Sequence, residues 1–438
     1  METAAATRSL GPILLAPGVR PAHVVAKLFV AFIGIAMMSG VPLLNGYLLT
    51  EHLHLPHGQQ GSVTGDLSFW VEIVAISLFY PFGVLADRIG RRPVITFGLV
   101  TVSIGYALMP FATTVEELLG ARLVFAVGMA STAGMLATLS NDYPQEQSRG
   151  KLIALTSMSN ILGAALMAGG ISRIPSILSE YGFDPVAGGK VMLLTAATLC
   201  LITAIGARFG LAPGTPVARR ERAATRTLIS SGLRCAKNPR IALAYAGAFA
   251  ARGDLVVKAA FLSLWAIQDG FARGMNPGQA MARFGIMLII MSVISFISAP
   301  VFGWLIDRIN RVSAAIIALA FASAGYLSMY LITSPLDYAM LPYFIVISLG
   351  SSFMMKSSLS LVGQEAPVSE RGSVIAMNSM CGSVGILVFT LVGGRLFDSW
   401  APWAPFAMVG AYQVVLLIAA VIIRFVAPGR DINLQVCA

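Results

Sequence analysis

Gly83-Val-Leu-Ala-Asp87-Arg88-Ile-Gly90-Arg91-Arg92 stands between two apolar runs, and the second half of the chain repeats it as Gly303-Trp-Leu-Ile-Asp307-Arg308-Ile-Asn310-Arg311. A second pair of stretches is spaced almost identically. Arg149-Gly150-Lys-Leu-Ile153-Ala154, with Ser157-Met158 and Gly163, returns as Arg371-Gly372-Ser-Val-Ile375-Ala376, with Ser379-Met380 and Gly385. Two independent echoes at nearly one offset imply an internal duplication with both copies running in the same orientation.

What surrounds these stretches is apolar. Of 438 residues, 57% are hydrophobic and 11% charged, whereas a soluble domain carries roughly 25% charged residues. So few charges cannot cover a water-facing surface, so most of the outer surface faces lipid. A transmembrane helix takes about 20 mostly apolar residues. Spans of that kind read at 25–48, 66–87, 93–112, 116–141, 151–173, 189–211, 241–267, 282–306, 312–333, 338–362, 372–396 and 404–427. The expected fold is an all-α integral membrane protein with twelve transmembrane helices in two pseudo-symmetric six-helix bundles. The expected order is an N-terminal tail 1–24, a bundle 25–211, a basic linker 212–240, a second bundle 241–427 and a C-terminal tail 428–438.

The net charge of +10 does not point to nucleic acid, because the cations sit in short loops between apolar runs. There they set topology against anionic lipid headgroups. With both termini in the cytoplasm, the cytoplasmic loops hold Arg88, Arg91, Arg92, Arg149, Lys151, Arg308, Arg311 and Arg371, and the linker adds Arg219, Arg220, Arg222, Arg226, Arg234, Lys237 and Arg240. The opposite loops hold only Arg173, Lys190, Arg273, Arg283 and Arg395. A multi-pass protein of a bacterial inner membrane, acting as a monomer, is expected. Cys200, Cys235, Cys381 and Cys437 are scattered and form neither a disulfide framework nor a zinc pattern. His52, His54 and His57 share a loop without a thiolate or carboxylate set, so no metal or other cofactor is expected. The patterns of metalloproteases, serine hydrolases and P-loop ATPases are missing, and an enzyme is not expected.

Gly83 to Arg92 resembles the loop 2–3 signature of the major facilitator superfamily, with every signature position filled. Gly303 to Arg311 resembles its degenerate copy, with Asn310 for the second Gly. The resemblance implies two bundles around a central cavity lined by the first, fourth, seventh and tenth spans, which rock to open the cavity to one side at a time. It implies gating roles for Gly83, Asp87, Arg88, Gly90 and Arg91, and for Asp307, Arg308 and Arg311 in the copy. Asp87 would meet the positive N-terminal end of the eleventh span near Gly372, and Arg91 would pair with Asp142. The alternative is that these arginines only hold topology. Arg122-Leu-Val-Phe-Ala-Val-Gly128 resembles the family's fourth-span signature, with Ala126 replacing its first Gly. Gly169-Gly170 keeps the paired glycines of the antiporter signature, but Ala165-Leu166 replaces its Gly-Pro, which counts against a drug–proton exporter.

Ionisable residues within spans are costly and therefore functional candidates. Six stand out: Glu72, Arg122, Arg252, Asp254, Lys258 and Lys356. Asp254 and Lys258 share a helix face and are able to neutralise each other. Arg252 lies about 120° around from Lys258 and needs another partner. Gly253 is a point where that helix is free to loosen. Lys356 has hydroxyl neighbours at Ser352 and Ser357. The structural alternatives are an ion-pair network for the seventh span and snorkelling to an interface for Arg122 and Lys356. Arg122, Arg252, Lys258 and Lys356 outnumber the two acids, and a low-dielectric cavity with surplus positive charge attracts anions. The expected partner is a small organic anion in a surrounding of membrane lipid. Proton coupling requires a group that changes charge during the cycle, and the carboxyls of Glu72 and Asp254 are the candidates. The competing expectation is a proton-driven exporter of drugs or amphipathic metabolites.

Overall fold

Apolar length sets the extent of the helices, and side-chain caps fix the starts of several of them. A computed structural model of the protein describes residues 9–214, 225–367 and 370–428. Arg219, Arg220, Glu221 and Arg222, the side chain of Arg226, and Cys437 lie outside the described residues. The helices are α1 (Pro21–Tyr47), α2 (His57–Ile89), α3 (Arg91–Leu108), α4 (Val115–Asp142), α5 (Arg149–Gly169), α6 (Ile174–Glu180), α7 (Pro185–Gly210), α8 (Thr225–Cys235), α9 (Pro239–Ala272), α10 (Pro277–Arg308), α11 (Arg311–Leu327), α12 (Leu341–Glu365), α13 (Arg371–Ser399) and α14 (Ala404–Val426). Among the described residues twelve segments are long and apolar enough to cross a membrane; α6 closes the fifth of them, Glu146–Glu180, and α8 alone falls outside. Several starts carry side-chain caps for the free N–H groups of the first turn. Thr114 accepts from the Glu117 N–H, Asp184 from Val186 and Ala187, and Asn238 from Arg240.

The chain divides into two compact units. The first comprises residues up to 54, 70–221, and the opening residues 277–285 of α10. Within it α1 packs on α5 and α7, and α3 packs on α4 and α7. The α3–α4 contact is close because glycines meet. A Cβ on Gly128 would lie 2.6 Å from the Val102 nitrogen, and one on Gly98 would lie 2.9 Å from the Gly128 carbonyl. Ala126, where the fourth-span signature has Gly, is fully buried, so the tight packing is carried by Gly128 and Gly98.

A short hairpin, β1 (Ser9–Leu10) paired with β2 (Ile13–Leu14), precedes α1 in this unit. Its exit strand lies along the α4–α5 loop. The Gln145 N–H donates to the Leu14 carbonyl, the Ala16 N–H donates to the Tyr143 carbonyl, and the Gln145 amide donates to the Leu15 carbonyl at 3.0 Å. Ile13, Leu15 and Val19 are buried with Leu139, Tyr143, Leu152 and Leu211. The Tyr143 hydroxyl accepts from the Ala212 N–H at 3.0 Å, and burial pushes its phenol up to about 12. Truncating a buried leucine costs about 2–5 kcal/mol through lost transfer energy and the cavity left behind. Leu15→Ala is therefore expected to lower the unfolding temperature and expose residues 9–19 to protease. Leu15→Met, close in volume, is expected to behave as the parent within about 1.5 kcal/mol. Equal protease resistance of the parent and the Ala variant would show that the hairpin is not anchored by its apolar side chains.

The second unit comprises 55–69, residues 222–276, and 286 onward. Here α9 packs on α12, α13 and α14, and α11 on α12 and α14. The linker helix α8 lies on α13, where Gly232 sits against Met377 and the Ser373 carbonyl. The Cys235 thiol donates to the Glu370 carboxylate at 2.7 Å. Burial and that carboxylate push the thiol up to about 11, and the thiol's bond holds Glu370 below its ordinary value. The opening turns of α2 are held here as well. Asp66 pairs with Arg395 at 2.6 Å, and Asp398 accepts from the N–H groups of Gly61 and Ser62.

Candidate functional site

The two repeated loops fold differently in one respect. Gly90 precedes α3 with φ of 97°, a backbone region that favours glycine, and a Cβ there would lie 3.3 Å from the Gly214 carbonyl. Asn310, at the matching place before α11, has φ of −55°; its side chain accepts from the Val312 N–H at 2.9 Å and donates to the Pro428 carbonyl at 2.6 Å. The copy departs from glycine because its turn needs an N-cap rather than a left-handed residue.

Charges follow the same division. In the first unit Arg91 lies 3.3 Å from Asp87 and 3.1 Å from Asp142, joining the ends of α2 and α4 through α3. Gly83 is buried, and Arg88 is exposed. In the second unit Arg311 lies 3.4 Å from Asp307 and donates to the Ser360 hydroxyl. Arg308 stacks on Trp304 at 4.1 Å. The acid at the end of α12, Glu365, pairs with Arg240 at 2.9 Å instead. The copied motif thus keeps its short-range pair and exchanges the cross-helix carboxylate for a hydroxyl.

Four intramembrane cations donate to neutral oxygens. Arg122 on α4 is 2% exposed and donates to the Asn45 side-chain oxygen on α1, while its Nε is buried without a hydrogen-bond partner. Arg252 donates to the Ser379 carbonyl at 3.2 Å, and its stem lies across Gly382 of α13. Lys356 donates to the Ser352 hydroxyl one turn back at 2.6 Å. A further cation, Lys27 on α1, is fully buried and donates to the Thr156 hydroxyl on α5.

Asp254 and Lys258 are not within ion-pair distance among the described residues; Lys258 acts on the carboxylate by its charge alone. The carboxylate instead accepts from the Gln413 amide of α14 at 3.2 Å. Gly253 does not loosen α9. The helix is continuous, and Gly253 lets it approach the Phe389 ring and the Gly385 carbonyl of α13. Glu72 is buried on α2 in the first unit, and Asp254 belongs to the second. Arg122 and Lys27 belong to the first unit, and Arg252, Asp254, Lys258 and Lys356 to the second.

With this geometry in place, comparison with known proteins assigns the lineage. The sequence profile of the Major Facilitator Superfamily matches residues 28–390 and, in a second match, 260–434. The chain belongs to the Major Facilitator Superfamily. Magnetosome protein MamH of Paramagnetospirillum magneticum is 26% identical over 86% of this chain and 87% of its own length. Multidrug resistance protein MdtG of Enterobacter lignolyticus is 23% identical over 92% of this chain and 89% of its own length. Among solved structures, a variant of the nucleoside transporter NupG superposes with a TM-score of 0.75 at 16% identity, covering 91% of this chain and 99% of that one. That likeness shows the fold, and the family match together with the twelve apolar spans makes the chain a multi-pass membrane protein.

Four polar residues of these sites, including Tyr326, whose hydroxyl donates to the Asp254 backbone carbonyl at 2.9 Å, escape a reading that looks only for charges inside spans. Lys27 falls close to the start of the first span and looks like a boundary cation. Asn45, Gln413 and Tyr326 carry no charge. The signal that finds Asn45 and Gln413 is an amide deep in an apolar helix, which needs a partner there as a charge does.

Proposed function

We propose that this superfamily member is a secondary active transporter of a small organic anion, a monomer of a bacterial inner membrane with both termini in the cytoplasm. The observation carrying this reading is the chemistry around Lys27, Arg122, Arg252 and Lys356. Each is hydrogen-bonded to a neutral oxygen, from a hydroxyl, an amide or a carbonyl. Cations within a membrane are costly, and a neutral dipole offsets that cost only in part. An arriving carboxylate or phosphate supplies the missing charge and forms charge-assisted bonds. In this reading the Asp87–Arg91–Asp142 cluster and its reduced copy at Asp307–Arg311 are latches that make and break as the protein alternates between its two openings.

The test is thermal stabilisation of the purified protein by a panel of organic anions, organic cations and neutral amphiphiles at two pH values. A ligand that binds only the folded state raises stability by mass action, about 2.7 kcal/mol at a hundredfold excess over Kd. Stabilisation by one anion class, lost when Arg252→Ala and Lys356→Ala are combined, is the expected result. A second reading, export of amphipathic compounds, is favoured by the relative named as a multidrug resistance protein. Stabilisation only by lipophilic cations or neutral amphiphiles would overturn the anion reading and establish that one in its place.

A further inference from the structure

Asp254 and Gln413 are both fully buried. One hydrogen bond joins them, from the Gln413 Nε2 to the Asp254 Oδ2 at 3.2 Å. The other oxygen of each group, Asp254 Oδ1 and Gln413 Oε1, is buried with no hydrogen-bond partner. Both atoms are acceptors, so turning either group over leaves one lacking a donor. Buried polar groups are almost always paired, and an orphan calls for an explanation. Here there are two orphans on adjacent side chains. A hydrogen placed on Asp254 Oδ1 would make it a donor, and Gln413 Oε1, on the side chain already bonded to Asp254 Oδ2, is an acceptor that lacks one.

We propose that Asp254 and Gln413 form a proton seat inside the second unit, and that its occupation leaves Lys258 uncompensated and ready for the transported anion. This rests on the anion-transport reading and adds the coupling ion and the atom that carries it. The step is a plain protonation. A proton from water forms the Oδ1–H bond, the carboxylate becomes neutral, and nothing is oxidised or reduced. Lys258, one turn further along α9, then loses the negative charge of Asp254, which favours an anion there. Proton and anion therefore load together.

The surroundings suit this role. Lys258 on α9 and Tyr326 on α11 are the titratable groups that act on the carboxylate; α12 brings the Ser351 hydroxyl and α14 the Gln413 amide. From α13 the neighbours of this stretch of α9 are the Gly385 carbonyl and the Phe389 ring at Gly253. The Tyr326 hydroxyl donates to the Asp254 backbone carbonyl at 2.9 Å and meets the Ser351 hydroxyl at 3.2 Å, which fixes the helix beneath the carboxyl. A hard metal cation would need about six oxygens around it. The nearby ammonium also opposes a second positive ion, whereas a proton only removes a negative one.

Infrared difference spectra of the full-length protein between alkaline and acidic buffer test the seat without any organic solute. The expected result is a carboxylic-acid carbonyl band that appears on acidification. It should be lost completely in Asp254→Asn, an isostere whose amide donates to Gln413 Oε1 and so preserves the fold. It should move to higher frequency in Gln413→Leu, where the acid loses its amide partner. The same band persisting in Asp254→Asn, its loss in Glu72→Gln instead, or an unshifted band in Gln413→Leu would overturn the proposal. Because the readout uses protons alone, a failed anion panel with a normal band leaves the seat standing, and an absent band with normal anion stabilisation removes the seat only.

Discussion

Arg122→Ala is expected to reduce uptake of the anion class found by thermal stabilisation by about 10- to 100-fold in proteoliposomes at limiting solute. A hydrogen bond to a charged group contributes about 1.5–3 kcal/mol, and each 1.4 kcal/mol is tenfold. The buried guanidinium donates to the Asn45 amide oxygen, and its Nε has no hydrogen-bond partner. Its remaining donors suit the forked recognition of a carboxylate or phosphate, which a lysine does not reproduce. Arg122→Lys is accordingly expected to recover only part of the rate. The fold should tolerate the change. Alanine removes the bond that Arg122 gives the Asn45 oxygen, at about 1–3 kcal/mol, but also removes an expensive charge from the membrane interior. A small shift in unfolding temperature with a large loss of transport places Arg122 in solute binding. Unchanged uptake at normal expression would reduce it to a packing residue.

The twelve spans were legible because lipid admits few solutions. A stretch of apolar residues long enough to cross must satisfy its own backbone and becomes a helix. The duplication was legible because each half keeps an Asp–Arg pair four residues apart where its second span gives way to its third, although the turns themselves differ. Long-range choices were not. Asp254 and Lys258 have the spacing of a neutralising pair, but spacing says only that they share a face. That face is packed by α11, α12 and α14, and the amide of Gln413, distant in sequence, takes the carboxylate's bond. The membership of 55–69 and 277–285 is hidden for a similar reason: α2 and α10 each read as a single helix, and only contacts assign their first turns to the other unit. The hairpin at 9–14 is too short for a periodic signal, and its order comes from the α4–α5 loop on which it lies.

Lys27→Met is expected to raise stability and abolish transport, a combination that separates function from structure. Lys27 is fully buried on α1, and the Thr156 hydroxyl is a weak substitute for water or a carboxylate around an ammonium. Replacing a buried charge by an apolar side chain of similar length is often neutral or stabilising by about 1–4 kcal/mol. Thr156 keeps its hydroxyl bond to the Leu152 carbonyl at 2.7 Å, so the variant strands no donor there. A residue retained for stability alone would not show such a gain. One that serves by drawing an anion along the first unit would show it together with a loss of uptake. Thermal unfolding and proteoliposome uptake on the same preparation decide the matter. Higher stability with lost uptake assigns Lys27 to the anion path beside Arg122. Higher stability with full uptake would mean that the lysine is an idle burial, and the surplus of cations would then have to be argued from Arg122, Arg252 and Lys356 alone.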